Sequence, residues 1–210
     1  MRFALVILFA VLAGAGIVDQ LAVTVGNQAI TEREITDDIR MAALLNGVAP
    51  DTTLTARRAA AARLIEQALI RREMSFGSYP PVQESDVKEA MAGAEKAHGG
   101  AAALAETLKQ YDLTGKQLQN YLTWQLELLR FIDLRFRPAV QVTNEDIEKY
   151  YQQNVVDAQP TGKAPELGAV RSQIEQKLSG ERVDEQLDRW IKQSRARTVI
   201  RFEDPALAQP

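Results

Sequence analysis

The stretch PELGAVRSQIEQKLSGERVDEQLDRWIKQSRARTVIRF, residues 165–202, decides how this chain folds. Its spacing predicts a long helix running into a short strand, Thr198-Val199-Ile200-Arg201-Phe202, β-branched or aromatic at four of its five places. Pro165 suits a first helical turn, where its missing N–H would be unpaired anyway. A strand this short cannot stand alone, and neither can a helix this polar. The segment must therefore close onto something made earlier. Leu167, Val170, Ile174 and Leu178 form one apolar stripe. Val183, Leu187, Trp190 and Ile191 form another, centred roughly 160–200° away on an ideal helix. Gly180 lies between them, weakens a helix by ~1 kcal/mol relative to alanine, and permits a bend. The two halves should face different partners. The second half and the strand are expected on the N-terminal lobe, paired with a hairpin at 21–30. The first half is expected on the helix bearing Tyr150 and Tyr151, or as part of a surface that binds a partner.

The bulk composition narrows the function. Twenty-eight acidic and 25 basic side chains leave a formal net charge of −3, so there is no basic excess to neutralise a nucleic acid. With no cysteine and one histidine, His98, thiolate chemistry, disulfides and a zinc site lose their ligands. No glycine-rich phosphate loop or metal-ligand spacing is present, so neither a cofactor nor a metal is expected. At the start, Arg2 precedes an apolar run from Phe3 to Leu12 and the small-residue pattern Ala13-Gly14-Ala15. This reads as a signal peptide over residues 1–15, cut after Ala15, which places the mature protein in the periplasm or otherwise outside the cytoplasm. The alternative, a retained membrane anchor, is disfavoured because the run falls short of the ~20 residues a span needs. No stable membrane insertion is expected after cleavage.

The rest of the chain supplies the partners. Leu21 to Val25 and Gln28 to Ile30 flank Gly26-Asn27, a hairpin signal. Thr31 and Glu34 form a capping box for a helix carrying Ile35, Ile39, Ala42 and Ala43, which Gly47 stops. Leu54 to Met74 is a second helix with Leu64, Ile65, Ala68 and Leu69 inward and Arg57, Arg58, Arg71 and Arg72 in water. The turn Gly77-Ser78-Tyr79-Pro80-Pro81 ends it. Val87, Met91 and Ala94 mark a third helix, His98 a solvated loop, and Leu104 and Leu108 a short fourth helix. Thr114 and Gln117 cap a long helix that runs to about Phe136. One face of that helix carries Leu118, Leu122, Leu129, Ile132 and Phe136, and roughly the opposite one Trp124, Leu128 and Phe131. Such a helix is either sandwiched between neighbours or offers one side to a ligand. Thr143 and Asp146 start a helix with Ile147, Tyr150 and Tyr151, and residues 155–164 read as a linker.

Taken in order, these elements resemble the SurA-like periplasmic chaperones, the family that includes parvulin-type prolyl isomerases. The similarity rests on VDQLAVTVGNQAITEREI, RLIEQALIRREM, LTGKQLQNYLTWQLELLR, VTNEDIEKYYQQN and WIKQSRARTVIRF. It implies a mainly α fold: a helical SurA-N-like chaperone core with a small β-hairpin joined by a C-terminal strand, closed by a long C-terminal helix. The implied organisation is a signal peptide at 1–15, a helical chaperone lobe at 16–154, a linker at 155–164, a packing-back helix and strand at 165–202, and a tail at 203–210. Isomerase members carry a parvulin domain of about a hundred residues where this chain has only that linker. Parvulin sites also use paired histidines with a Cys or Asp, and only one histidine is available. The resemblance therefore implies the chaperone core without the enzyme.

The expected function is to bind unfolded or apolar segments of envelope and outer-membrane proteins, with no catalytic residues. Trp124, Leu128 and Phe131, with Met74, Phe76 and Tyr79 as a second cluster, are the candidate peptide-binding side chains, although core packing explains the same residues. Two alternatives stay open: a family member that retains some isomerase activity, and a structural adaptor acting as a homodimer.

Overall fold

A computed structural model describes residues 19–157 and 164–208. The signal-peptide reading falls outside the described residues, as does most of the expected linker.

The hairpin forms as its turn chemistry demands. Strands β1 (Leu21–Val25) and β2 (Gln28–Thr31) pair antiparallel, and Gly26 takes φ 59° at the turn. Thr31 then caps α1 (Glu32–Asn46), with the reciprocal Glu34 bond in place and Gly47 left-handed at the far end. Helix α2 (Leu54–Phe76) runs two residues beyond its expected end and is capped at its start by Thr53. After the Pro80-Pro81 turn come α3 (Glu84–Ala97), α4 (Ala101–Gln110) and α5 (Gly115–Arg135), the last opened by the Thr114–Gln117 capping box. His98 is half-buried at the end of α3, its Nδ1 2.8 Å from the Ala94 carbonyl. Helix α6 (Asn144–Tyr151) has the third such box, from Thr143 and Asp146.

The closing segment behaves as its two-stripe pattern requires. Helix α7 (Leu167–Arg197) is one uninterrupted helix through Gly180, and β3 (Ile200–Phe202) pairs antiparallel with β1, giving the sheet order β2-β1-β3. Val23 lies opposite Phe202 and Val25 opposite Ile200. The strand is three residues long, since Thr198 and Val199 form the approach to it rather than part of it. Pro165 stands outside the helix, with Glu166 at the cap, and its carbonyl accepts the Tyr151 hydroxyl at 2.8 Å. The linker is shorter than expected at its start: Val155 and Val156 belong to a π-turn (Gln152–Val156) continuing α6.

Three apolar clusters fill the interior. One joins β1, β2, α1 and α2 through Val23, Val25, Ile30, Ile35, Ile65 and Leu69, with Leu207 closing it from the C-terminal side. A second gathers Met41 and Leu44 of α1, Leu104 and Leu108 of α4, and Leu118 of α5. The third holds Ile70, Trp124, Phe131, Phe136 and Val183. Trp190 packs against both the first and the third, so it ties α7 to two cores at once.

Beyond β3 the chain forms a hook. The Ala22 carbonyl accepts from the backbone of Glu203 at 2.9 Å and Asp204 at 3.2 Å, and Leu207 is buried. Arg57 and Arg58 are not simply wet, as their place on α2 suggests; both are half-buried and hold this hook. Arg57 Nη2 lies 2.8 Å from Glu32 and 2.9 Å from Asp204, while Arg58 Nε donates to the Ala206 carbonyl at 2.8 Å. Among the described residues, no helix is long and apolar enough to cross a membrane.

Candidate functional site

The six expected contact residues separate into core and surface. Phe131 is fully buried, with its ring centroid 5.4 Å from Tyr79, 5.6 Å from Phe136 and 5.3 Å from Trp190. It is therefore a core side chain and not a groove wall. The reason is long-range: Trp190, 59 residues downstream by sequence number, covers the face of α5 that would otherwise be open. Trp124 is 8% exposed and belongs to the same cluster, with Met74, Leu128 and Tyr79 half-buried around it. The structure thus brings five of the six together as packing. Phe76 alone stands apart, 81% exposed at the end of α2.

Two clefts remain open beside these residues. The first, of about 200 Å³, lies between α1, α2 and α5. Met41, Leu64, Leu113, Tyr121 and the edge of Trp124 give it an apolar floor, while Asp37, Asp38, Gln117 and Asn120 stand on its rim. Arg71 lies over the Trp124 ring, its guanidinium carbon 5.0 Å from the centroid. The rim carboxylates are already engaged: Asp37 accepts from Gln117 Nε2 at 2.7 Å, and Asp38 pairs with Arg63. Burial pushes the Asp38 carboxyl above its usual range, and the Arg63 partner pulls the other way. Burial also raises the Tyr121 phenol, with the Asp38 charge adding to it.

The second cleft, of about 340 Å³, lies where the C-terminal ends of α2, α5 and α7 converge around Trp190 and Phe76. Arg72, Arg135 and Arg197 line it. Sequence reasoning missed both clefts as places. Leu64 reads as inward and nothing in the pattern singles out Met41 or Tyr121, and only packing decides which such residues border open space. No group of three or more histidine, cysteine, aspartate or glutamate side chains that could hold a metal occurs among the described residues.

No protein-family model matches the chain, and no curated protein does. Among solved structures, it is similar to a chain from the work on PEB4 and Cj1289 of the human pathogen Campylobacter jejuni, a virulence factor and a periplasmic protein described as structurally related SurA-like chaperones. The superposition has a TM-score of 0.56 at 12% sequence identity and covers 89% of this chain and 100% of that one. At that identity the likeness is one of fold, and the fold is SurA-like.

Proposed function

We propose that this SurA-like core is an exported, periplasmic chaperone that binds unfolded or apolar segments of envelope and outer-membrane proteins, without isomerase activity. The observation that carries the reading is the apolar-floored cleft at Trp124, set in a fold shared with SurA-like chaperones. A receptor for many sequences needs an apolar recess that accepts side chains of varied shape, with a polar rim to keep it soluble. Methionine suits such a floor because its unbranched thioether adapts to its neighbours. Export is supported by the signal-peptide pattern at 1–15.

Magnitudes favour weak, reversible holding. Burying one large apolar side chain yields about 1.5–3 kcal/mol, whereas even millimolar binding requires about 4 kcal/mol. One cleft of this size therefore cannot retain a client. Several contacts along one chain are needed, which fits a holding role better than tight recognition of a single ligand.

The test is aggregation of a denatured outer-membrane protein diluted into buffer with the mature chain. Suppression at modest molar excess is expected. Asn120→Trp, at an exposed position on the rim, fills the recess and should abolish most of the suppression while leaving the melting temperature unchanged. A wild-type chain that fails to suppress aggregation overturns the reading.

A further inference from the structure

The cleft around Phe76 has a charge character opposite to the rest of the molecule. Three arginines, Arg72, Arg135 and Arg197, face one carboxylate, Glu73, on a chain whose formal charge is −3. Glu73 is taken by Arg135 at 2.9 Å. Among the described residues, Arg72 and Arg197 have no carboxylate partner: the nearest polar contact of Arg72 is Thr198 Oγ1 at 3.4 Å. Both side chains are exposed.

Helix-end electrostatics accounts for part of this arrangement. Helices α2 and α7 both end at the cleft, and cations near a helix C-terminus are favourable. Arg195, in the same last turn of α7 as Arg197, satisfies that role while also pairing with Glu66 at 3.6 Å. Helix-end neutralisation does not explain Phe76. Among the described residues it is the most exposed of the large apolar side chains, and it lines the same cleft as the arginines and Trp190.

An exposed aromatic beside two guanidiniums that have no carboxylate partner, in a concave cleft that also carries Trp190, matches a ligand that is apolar and anionic at neighbouring positions. We infer that this cleft docks segments of unfolded polypeptide in which an aromatic or aliphatic side chain lies next to Asp or Glu. The apolar side chain packs between Phe76 and Trp190, and the carboxylate takes the donors of Arg72 and Arg197. The concavity favours a chain segment over a flat lipid surface. This docking rests on the proposed peptide-holding function and adds a charge preference to it. It also supplies the second contact that the Trp124 recess requires.

Fluorescence anisotropy with two labelled peptides tests the inference: one carries Phe flanked by Glu, and its twin carries Lys in place of each Glu. The Glu peptide should bind about tenfold tighter, the size of one charge-assisted hydrogen bond, and the gap should shrink as salt rises. Arg72→Glu with Arg197→Glu should reverse the order of the twins, and Phe76→Ser should weaken both. These are surface positions, and a circular-dichroism melt verifies that the variants remain folded. Equal binding of the twins, or no reversal in the double variant, overturns the cleft assignment even where aggregation is still suppressed. Anionic vesicles that bind through Phe76 while the peptides show no charge preference overturn it in favour of a lipid surface. Failure of both peptides together with failure to suppress aggregation removes the peptide-holding function itself, and this docking with it.

Discussion

The two halves of α7 are built on different physics. The C-terminal half is held by apolar burial: Val183 is 3% exposed, and Trp190 and Leu187 pack into the cluster around Phe131. The N-terminal half, with the Arg182 turn just past Gly180, rests on α6 largely through polar and charged contacts. Arg171 bonds Asn144, Arg182 pairs with Asp146 at 2.7 Å, and Lys177 Nζ lies 5.9 Å from the Tyr150 ring centroid. Ile174 and Ile147 are the buried apolar side chains there, both outside the three main clusters. Charged pairs at a surface stabilise little, while a buried aromatic stabilises a great deal. One continuous helix therefore carries a firmly held end and a lightly held end. Uniform helical structure does not mean uniform stability.

The sharpest way to break this comparison is Trp190→Ala. It removes the side chain shared by two clusters and should cost about 3–5 kcal/mol in global stability, read by chemical denaturation. A variant that melts like the wild type would mean that α7 is not anchored here. Ile174→Ala should cost about 2 kcal/mol. Its effect should appear in hydrogen exchange as earlier opening of α6 and the first half of α7, with the sheet unaffected. Gly180→Ala should move the other way. A Cβ built there meets no neighbour within 4 Å, so the variant should gain up to ~1 kcal/mol from helix propensity alone. A loss would show that the glycine has a bending or packing role.

The smallest expected effect is that of acid on the lightly held end. The Thr143 backbone N–H, then its hydroxyl and the Arg182 guanidinium, hold the Asp146 carboxyl down to about 2 from an ordinary 3.8. A depressed carboxylate contributes stability above its unfolded value, and that contribution disappears as the pH falls through about 2. The α6 amides should therefore lose protection in strong acid and keep it at pH 5 and above. Unchanged protection across that range would remove the Thr143–Asp146–Arg182 link from the account. Asp204 is shifted in the same direction by the Ala206 N–H and Arg57, so residue-resolved exchange is needed to tell the ends apart.

Local chemistry made much of the fold legible. The capping boxes read at Thr31 and Thr114 form, and the helix start read at Thr143 and Asp146 proves to be a third, because each needs only residues three apart. The pairing of β3 with the hairpin also follows from reasoning that an isolated strand needs a partner. What sequence could not show depends on residues far away in the chain. Phe131 and Phe76 are equal candidates for peptide contact by sequence, yet Trp190 covers the first and the second is 81% exposed among the described residues. Arg57 and Arg58 have the helical positions of solvent-facing residues, and their partners come after β3. The two clefts were equally hidden, since each is the space left where three helices fail to meet.

The bond from Arg57 to Asp204 spans 147 residues of chain. It ties the start of α2 to the segment that follows β3. Strand β1 has β2 along one edge and α1 and α2 over its apolar face, while its other edge has no strand partner until residues 200–202 arrive. Closing so long a loop costs entropy before any contact repays it, and contacts at such separations slow folding. The hairpin lobe is thus completed by a segment made nearly 170 residues later, between about 200 and 207.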